Sequence, residues 1–320
     1  MYKVYQTIKG TVATLDNPLI HSWIDVTSPT EDDIEELKVI ADIDEDIIRS
    51  IRDLDEVPKV EKYDDYQFIL IQTPKVTQED EDEDEIYHKY SVSPLGIIFN
   101  SDYLITISDG KNDVISYLKL KLKNYEKNKI VDTNDIPQFI LKLLLFTSKM
   151  YLKYLKAINH KLREAQKNLE DLPQNSEIMH LLDLQKSLVY FNTSLQSNQI
   201  VIEKLTKRKY FTNSEEDEEL VEDILDENKQ ALSTVKVYGQ IISNASATFA
   251  SIISNNLNQT LRFLTSVTII LMIPTLVASV YGMNVDLPFQ HVPHAFAIVV
   301  TISVVISLVG ILWFYRKKFF

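Results

Sequence analysis

The side chains with the clearest chemistry lie in an uncharged stretch near the C-terminus. No charged residue occurs between Phe263 and Tyr281, and about 19 residues of this kind approach the minimum that spans a bilayer as one helix. Because polar groups gain nothing by facing lipid, any polar face of such a helix should meet other helices or water. Five softer or polar residues recur at steps of three or four and share one helical face: Thr265, Thr268, Met272, Thr275 and Ser279.

The stretch ends in four residues that combine freedom of the backbone with a hydrogen-bond acceptor. They are Tyr281, Gly282, Met283 and Asn284. Glycine leaves helical geometry at little cost, and the amide oxygen of Asn284 can accept hydrogen bonds at the membrane edge. Magnesium holds its waters tightly, so acceptors at the right radius suit it better than a cage that strips those waters. One chain supplies only one such amide, and two helices enclose no passage, so oligomerisation is expected.

Tyr281-Gly282-Met283-Asn284, placed between two apolar stretches at the end of a long helix, resembles the signature of the CorA family of magnesium and cobalt transporters. The resemblance covers the layout of the whole chain and is strongest from about residue 214 to the C-terminus. It implies a passive channel for Mg²⁺, with Co²⁺ and Ni²⁺ as surrogates, built as a homopentamer in the cell membrane. It implies no cofactor beyond Mg²⁺ itself, as the transported and a regulatory ion.

The resemblance also implies a role for individual residues. Tyr281 to Asn284 would form the selectivity filter. Met272, Leu264 and Leu261 would form an apolar constriction that gates by dewetting, and Asn258 the cytoplasmic exit. The full pore-lining set, counted back from Asn284 and joined by Thr268 of the polar face, is Thr275, Met272, Thr268, Leu264, Leu261 and Asn258. A plainer interpretation stays open, because a Met or Leu in a span usually packs and a Thr can bond its own helix.

Two further acids match the family's layout in part. Asp223 falls at the stalk position where the family binds a regulatory ion, but the partner position reads Arg49-Ser50 here, and Asp53 or Asp55 could substitute. Asp286 is the only carboxylate in the loop after Asn284 and could attract the cation. The loop also holds His291 and His294, which with no third ligand nearby give a weak zinc or cobalt hypothesis.

Long helices must position these residues. A helix beginning after Ser214, a fitting N-cap, and running to Gly282 would be about 100 Å long, of which only some 30 Å is membrane. Apolar residues near heptad spacing predict two further helices, from Asn134 to about Glu170 and from Ser176 to about Lys209, separated by Leu172-Pro173-Gln174-Asn175. These helices predict a hairpin beside a stalk.

The first 130 residues predict an α/β module with a largely buried sheet. Short apolar runs predict five strands and two helices, with an acidic first turn at Glu31. The strands are Thr11–Leu15, His21–Val26, Tyr66–Gln72, Leu95–Asn100 and Tyr103–Ser108, and the helices are Glu31–Ala41 and Ile47–Leu54. Seven consecutive acids, Glu79 to Glu85, predict a solvated loop, with cation enrichment as the sharper alternative.

A second span, from about Ala295 to Tyr315, is expected to be the outer, lipid-facing helix. Arg262 precedes the first span, Arg316-Lys317-Lys318 follows the second, and the loop from Val285 to Pro293 has no Lys or Arg. Positive charge marks the cytoplasmic side, so both termini should face the cytoplasm. The fold class is therefore an α+β membrane protein: a cytoplasmic α/β domain (1–133), a long-helix hairpin and stalk (134–260), and a two-helix transmembrane pore domain (261–320).

Composition limits the other function classes. The net charge of -13 argues against a nucleic-acid surface, and the absence of cysteine excludes disulfides and thiolate metal sites. Six widely spaced glycines form no phosphate-binding loop, and no motif gathers the groups of an enzyme active site. Two alternatives remain: a zinc transporter of the related branch, which tends toward Gly-Val-Asn where this chain has Met283, and a two-span sensor or scaffold that carries no ion.

Overall fold

The structure, a computed structural model, describes residues 2–8, 11–82, 85–123, 131–171, 175–285, 288 and 292–317. Its compact units are Met1–Ala245 and Ser246–Phe320. The strands are β1 (Tyr2–Ile8), β2 (Thr11–Leu15), β3 (Ser22–Thr27), β4 (Lys59–Lys62), β5 (Gln67–Asp82), β6 (Glu85–Phe99) and β7 (Tyr103–Ser108). The helices are α1 (Glu31–Ala41), α2 (Glu45–Arg52), α3 (Asp113–Lys123), α4 (Ile136–Asp171), α5 (Asn175–Thr206), α6 (Glu215–Tyr281) and α7 (Ala295–Arg316), with a 3₁₀ turn at Lys209–Phe211.

The first unit is built on a seven-stranded mixed sheet. Its order is β2-β1-β3-β7-β6-β5-β4, and β3 and β7 form its one parallel pair among the described strands. Both central strands are buried along nearly their whole length, as expected for a sheet covered on both faces. Helices α1 and α2 cover one face through Leu37 and Ile51. On the other face Trp23 meets Phe139 of α4, with ring centroids 5.2 Å apart.

A polar network is buried within this layered core. Trp23 donates from Nε1 to Thr106 Oγ1 (2.9 Å), and Thr106 donates to Asp25 Oδ1 (3.1 Å). Lys119 of α3 forms an ion pair with the other oxygen of Asp25. Each member of the network therefore has a partner, which is the condition under which buried polar groups are tolerated.

The edge of β5 is closed by side chains once β4 has ended. At Gln72 the backbone N–H is accepted by Asn198 Oδ1 (2.9 Å), and the carbonyl accepts from Asn198 Nδ2 (2.7 Å) and from the hydroxyl of Tyr151 (3.0 Å). The amide of Asn198 thus takes the place of a neighbouring strand. Pro74, two residues further along, has no N–H to satisfy, which is the usual place for a proline in a sheet.

Most predicted elements of this unit are confirmed. Helix α1 has the predicted bounds and begins with a capping box at Thr30, and Ser214 caps α6, accepting from Asp217 N at 3.1 Å. Three elements had no counterpart in the prediction, namely β1, β4 and α3. Helix α3 contains an alternating Leu-Lys run, yet its buried residues Val114, Leu118 and Leu122 recur every four residues. The break predicted at Leu172 to Asn175 lies outside the described residues at 172–174, and Asn175 already belongs to α5.

The prediction of a solvated loop for the acidic run is wrong for the part that the structure describes. Glu79 to Asp82 belong to β5 and Glu85 opens β6, while 83–84 lie outside the described residues. Glu79 pairs with Tyr87 and Asp80 with Ile86 in the antiparallel register. Self-repulsion among acids favours an extended chain, and the strand-forming segment after them supplies the backbone partners of such a chain.

The second unit holds the C-terminal part of α6 together with α7. Both helices are long and apolar enough to cross a membrane, and only 6% of the most apolar window of each is buried in the chain. Pro274 lies inside α6, which continues to Tyr281. Residues this apolar are buried in soluble proteins, so the exposed surface of this unit requires neighbours that the single chain does not supply.

Candidate functional site

One face of α6 packs on α7 within the second unit. Ser266 is 1% exposed, and at Gly310 of α7 a Cβ would lie 3.9 Å from Ile273 Cδ1. The half-buried residues of this face are Val267, Ile270, Ile273 and Val277, and those of α7 are Ala295, Val299, Ser307 and Gly310, beside the buried Ser303 and Phe314. The contact surface of α7 is thus a row of small residues, as is usual where membrane helices approach closely.

The residues predicted to line a pore occupy another face of α6. Leu261, Leu264 and Met272 are 50%, 59% and 63% exposed, and Asn258, Thr268 and Thr275 are exposed as well. With each residue turning the helix by about 100°, this set is centred roughly 180° from the row of Ser266, Ile270, Ile273 and Val277. The fold therefore brings the predicted set together on the side of α6 opposite to α7.

The threonines of this helix donate to their own backbone. Thr268 Oγ1 donates to the carbonyl of Leu264 at 2.8 Å, and Thr275 Oγ1 donates to that of Leu271 at 2.9 Å. The plainer interpretation, that each Thr bonds its own helix, is confirmed at this level. It has a chemical consequence: with its proton engaged, each hydroxyl presents only oxygen lone pairs to its surroundings and acts there as an acceptor.

The four signature residues lie at the end of α6. The helix ends at Tyr281, whose hydroxyl donates to the carbonyl of Pro288 (3.0 Å). Gly282 N still donates to Ala278 O at 2.9 Å, and a Cβ on Gly282 would lie 3.3 Å from that oxygen. Close approach to this carbonyl therefore explains the glycine, which does not use a left-handed φ. Met283 and Asn284 follow with exposed side chains.

Two predicted loop residues cannot be located. Asp286 and His291 lie outside the described residues. His294 is described and occupies the N-cap position of α7 with a φ of 66°, without a side-chain capping bond. The proposal that Asp286 attracts cations and the weak zinc hypothesis for the two histidines thus gain no geometry.

The acids assigned to a regulatory site belong to the first unit. Asp223 is exposed on α6. Asp53 accepts from the backbone N–H of Asp55 at 3.0 Å and so shapes the turn after α2. Arg49 pairs with Asp46 (3.2 Å), and Ser50 accepts from Lys59 (3.2 Å). Within the described part of one chain no three His, Cys, Asp or Glu side chains gather as a metal site, so a site at Asp223 would need ligands from a second copy.

Comparison with known proteins decides the family. Residues 20–317 match the family described as CorA-like Mg²⁺ transporter protein. The chain belongs to this family. Two curated relatives are each described as cobalt/magnesium transport protein CorA. The protein from Methanocaldococcus jannaschii is 28% identical over 92% of this chain and 90% of its own length. The protein from Thermotoga maritima is 20% identical over 93% of this chain and 83% of its own length.

A solved CorA structure shares the architecture. The complete structure of the CorA magnesium transporter from M. jannaschii matches with a TM-score of 0.82 at 25% identity, covering 100% of this chain and 99% of that one. The predicted fold class is thereby confirmed for one chain: an N-terminal α/β domain, a long helix and two C-terminal apolar helices. The division into residues 1–133, 134–260 and 261–320 stays a prediction.

In this CorA-family chain, sequence reasoning missed the small-residue surface of α7. It assigned α7 as the lipid-facing helix and did not single out the residues that meet α6. The signal was present in the spacing, because Ala295, Val299, Ser303 and Ser307 recur every four residues, and Gly310 and Phe314 continue the same side. This row fixes which side of α6 is occupied and so which side is free.

Proposed function

We propose that this chain mediates passive entry of Mg²⁺ across the cell membrane, with Co²⁺ and Ni²⁺ as surrogate ions, as a homopentamer whose α6 helices surround the ion pathway. Membership of the CorA-like family and two helices of spanning length support this. A divalent ion moving inward down a membrane potential gains about 4.6 kcal/mol per 100 mV, so no phosphate-binding machinery is needed. The five-fold count follows from the family resemblance.

The opposition of two faces on α6 carries the proposal. Helix α7 takes the face around Ile270 and Ile273 and leaves the face around Thr268 and Met272 exposed. Acceptor oxygens and a thioether on an exposed face gain little from lipid. Copies of α6 standing around a common axis, with α7 outside them, give this face water and other copies as neighbours. A single chain of two helices encloses no pathway.

The residues along this face divide the work in chain order. A ring of Asn284 amide oxygens, with carbonyls nearby, accepts hydrogen bonds from the waters of a hydrated Mg²⁺ and forms the selectivity filter with Tyr281, Gly282 and Met283. Thr275 continues the acceptor surface inward. Met272, Leu264 and Leu261 form the apolar constriction, which closes by excluding water. Asn258 lies at the cytoplasmic exit.

Charge sets the orientation. Arg262 begins the first span, and Arg316 and Lys317 end the second. Positive residues mark the cytoplasmic side, so both termini and the first unit lie in the cytoplasm and Asn284 faces outward. Asp223 is retained as a regulatory ligand for Mg²⁺ completed by a second copy.

Flux into liposomes tests the function. Purified full-length protein is reconstituted with a Mg²⁺ indicator inside, and flux is driven by an inward gradient and a negative internal potential. Asn284→Ala should lower the initial rate about tenfold or more, the effect of losing at least about 1.4 kcal/mol of ion binding. Asn192→Ala is the matched control, since Asn192 lies on α5 in the first unit and accepts only from Gln196 in the described contacts.

Three outcomes would contradict the proposal in different ways. Equal rates in wild type and Asn284→Ala would remove the filter. Zinc flux tied to a proton gradient, without magnesium flux, would favour the zinc-transporting branch. Absence of any ion flux would favour a sensor or scaffold. The mass of the detergent-solubilised assembly, measured by light scattering with the detergent contribution subtracted, checks the pentamer independently.

A further inference from the structure

Thr268 lies in the middle of the apolar part of the exposed face. It is four residues from Leu264 on one side and four from Met272 on the other, which is about 6 Å along the helix in each direction. Its side chain is exposed and shares the centre of this face with theirs. An apolar constriction gates because its walls offer water no hydrogen bonds, so a hydroxyl at its midpoint changes its chemistry.

The hydrogen bonding of Thr268 defines what that hydroxyl can do. Its proton is donated to Leu264 O (2.8 Å), which leaves lone pairs directed away from the backbone bond. Water bound to a divalent cation points its hydrogens outward and is a strong donor. An acceptor-only oxygen suits such water, whereas the hydration shell of an anion presents lone pairs and finds no donor there.

We propose that Thr268 forms a ring of acceptors inside the constriction that binds the water shell of the passing divalent cation and divides the dry segment into two shorter ones. The proposal rests on the proposed ion pathway and adds a binding station to it. A dry segment of about 12 Å between Leu264 and Met272 becomes two of about half that length. The ion keeps its waters throughout, and the rate of passage depends on the Thr268 oxygen.

The competing interpretation is that Thr268 serves only its own helix. Its bond to Leu264 O is of the same kind as the bond from Thr301 to Ala297 O in α7, which is also 2.8 Å long. Thr301 lies on the side of α7 roughly opposite to Ser303 and Ser307, taking about 100° per residue. The two threonines therefore match in residue type, bond and exposure, and differ in which helix face carries them.

The experiment compares these two threonines in reconstituted full-length protein. Thr268→Val keeps the shape and removes the acceptor, so the Mg²⁺ rate should fall about tenfold, as for one lost hydrogen bond. Thr268→Ser keeps the acceptor and should stay within about twofold of wild type. Thr301→Val should likewise stay within about twofold. Size-exclusion chromatography verifies that each variant assembles. If Thr268→Val does not assemble, Thr268→Cys, with its weaker acceptor sulfur, carries the same expected loss.

Failure of this inference is distinguishable from failure of the proposed function. If Asn284→Ala loses flux while Thr268→Val matches Thr301→Val, the pathway stands and the acceptor ring is overturned. If Asn284→Ala and Thr268→Val both leave flux unchanged, the pathway is overturned as well. Loss with Thr268→Val and recovery with Thr268→Ser supports the ring, because a structural threonine would lose its helix bond equally in the valine variant of α7.

Discussion

The two units of this chain differ in where their side chains find partners. In the first unit Trp23, Thr106, Asp25 and Lys119 satisfy one another inside a sheet covered on both faces. In the second unit the large apolar side chains of α6 and α7 are mostly exposed, with 6% of each apolar window buried. The first unit is complete in one chain, whereas the second is completed by lipid and by other copies.

This difference predicts how substitutions should behave. In the first unit a side chain is held by neighbours that the structure shows, so removal of a partner or addition of volume should cost stability directly. In the second unit the same change should matter only where α6 meets α7, or where another copy stands. The three predictions below test the contrast in order of expected effect.

The largest effect is expected when Asp25 loses its counter-ion. Asp25 is 2% exposed, and Lys119→Met would leave its carboxylate buried without a cation. Removing one partner of a buried pair costs about 3 kcal/mol, which should lower the melting temperature by roughly 6–12 °C for a unit of this size. Differential scanning fluorimetry of the detergent-purified protein measures it.

Lys121→Met is the control on the same helix. Lys121 lies over the ring of Tyr117, 5.2 Å from its centroid, a contact worth about 0.5–1 kcal/mol at an exposed site. If both variants melted at the wild-type temperature, the buried network would not hold the first unit together, and the contrast between the units would lose its main support.

The next effect separates two glycines, one in each unit. At Gly96 of β6 a Cβ would lie 2.4 Å from Ile51 Cδ1 and 3.3 Å from Phe68 Cε2, and both neighbours are fully buried. Gly96→Ala should therefore cost about 1–3 kcal/mol through overpacking. At Gly310 the nearest atom is 3.9 Å away, so Gly310→Ala should leave the melting temperature unchanged or slightly raised, since Ala favours a helix by about 1 kcal/mol.

Melting curves of the two alanine variants give the answer, and Mg²⁺ flux is measured for Gly310→Ala as well. A loss of stability at Gly310 equal to that at Gly96 would mean that the space beside Gly310 is filled by something outside the chain. That result would move the contact between copies onto α7 and contradict its assignment as the outer helix.

The sequence was sufficient for features that local chemistry fixes. Spacing and caps located α1 and the start of α6 to the residue, because Thr30 and Ser214 bond the first turns of their helices. Absence of charge located both spans. The phase of Thr268, Met272 and Thr275 followed from helical periodicity, and the fold places them on one face.

Features that depend on distant partners could not be read in this way. Strand β1 exists because it pairs with both β2 and β3, and the acidic run is extended because Ile86 and Tyr87 pair with it. The amide of Asn198 closes the β5 edge from 126 residues away. For the candidate site, the side of α6 that is free became apparent only once α7 occupied the other.

The smallest effect is expected at Ser303, and it tests the contrast most finely. Ser303 is 6% exposed, and its Oγ finds no hydrogen-bond partner among the described residues. A hydroxyl without a partner stabilises nothing in this chain, so Ser303→Ala should change stability by less than about 0.5 kcal/mol or raise it slightly. Thr106→Val is the matched change in the first unit and should cost about 2 kcal/mol, because it leaves Trp23 and Asp25 without that partner. Melting curves compare the two. If Ser303→Ala instead cost as much as Thr106→Val, Ser303 would have a partner in a second copy, and α7 would take part in the contact between subunits rather than only surround it.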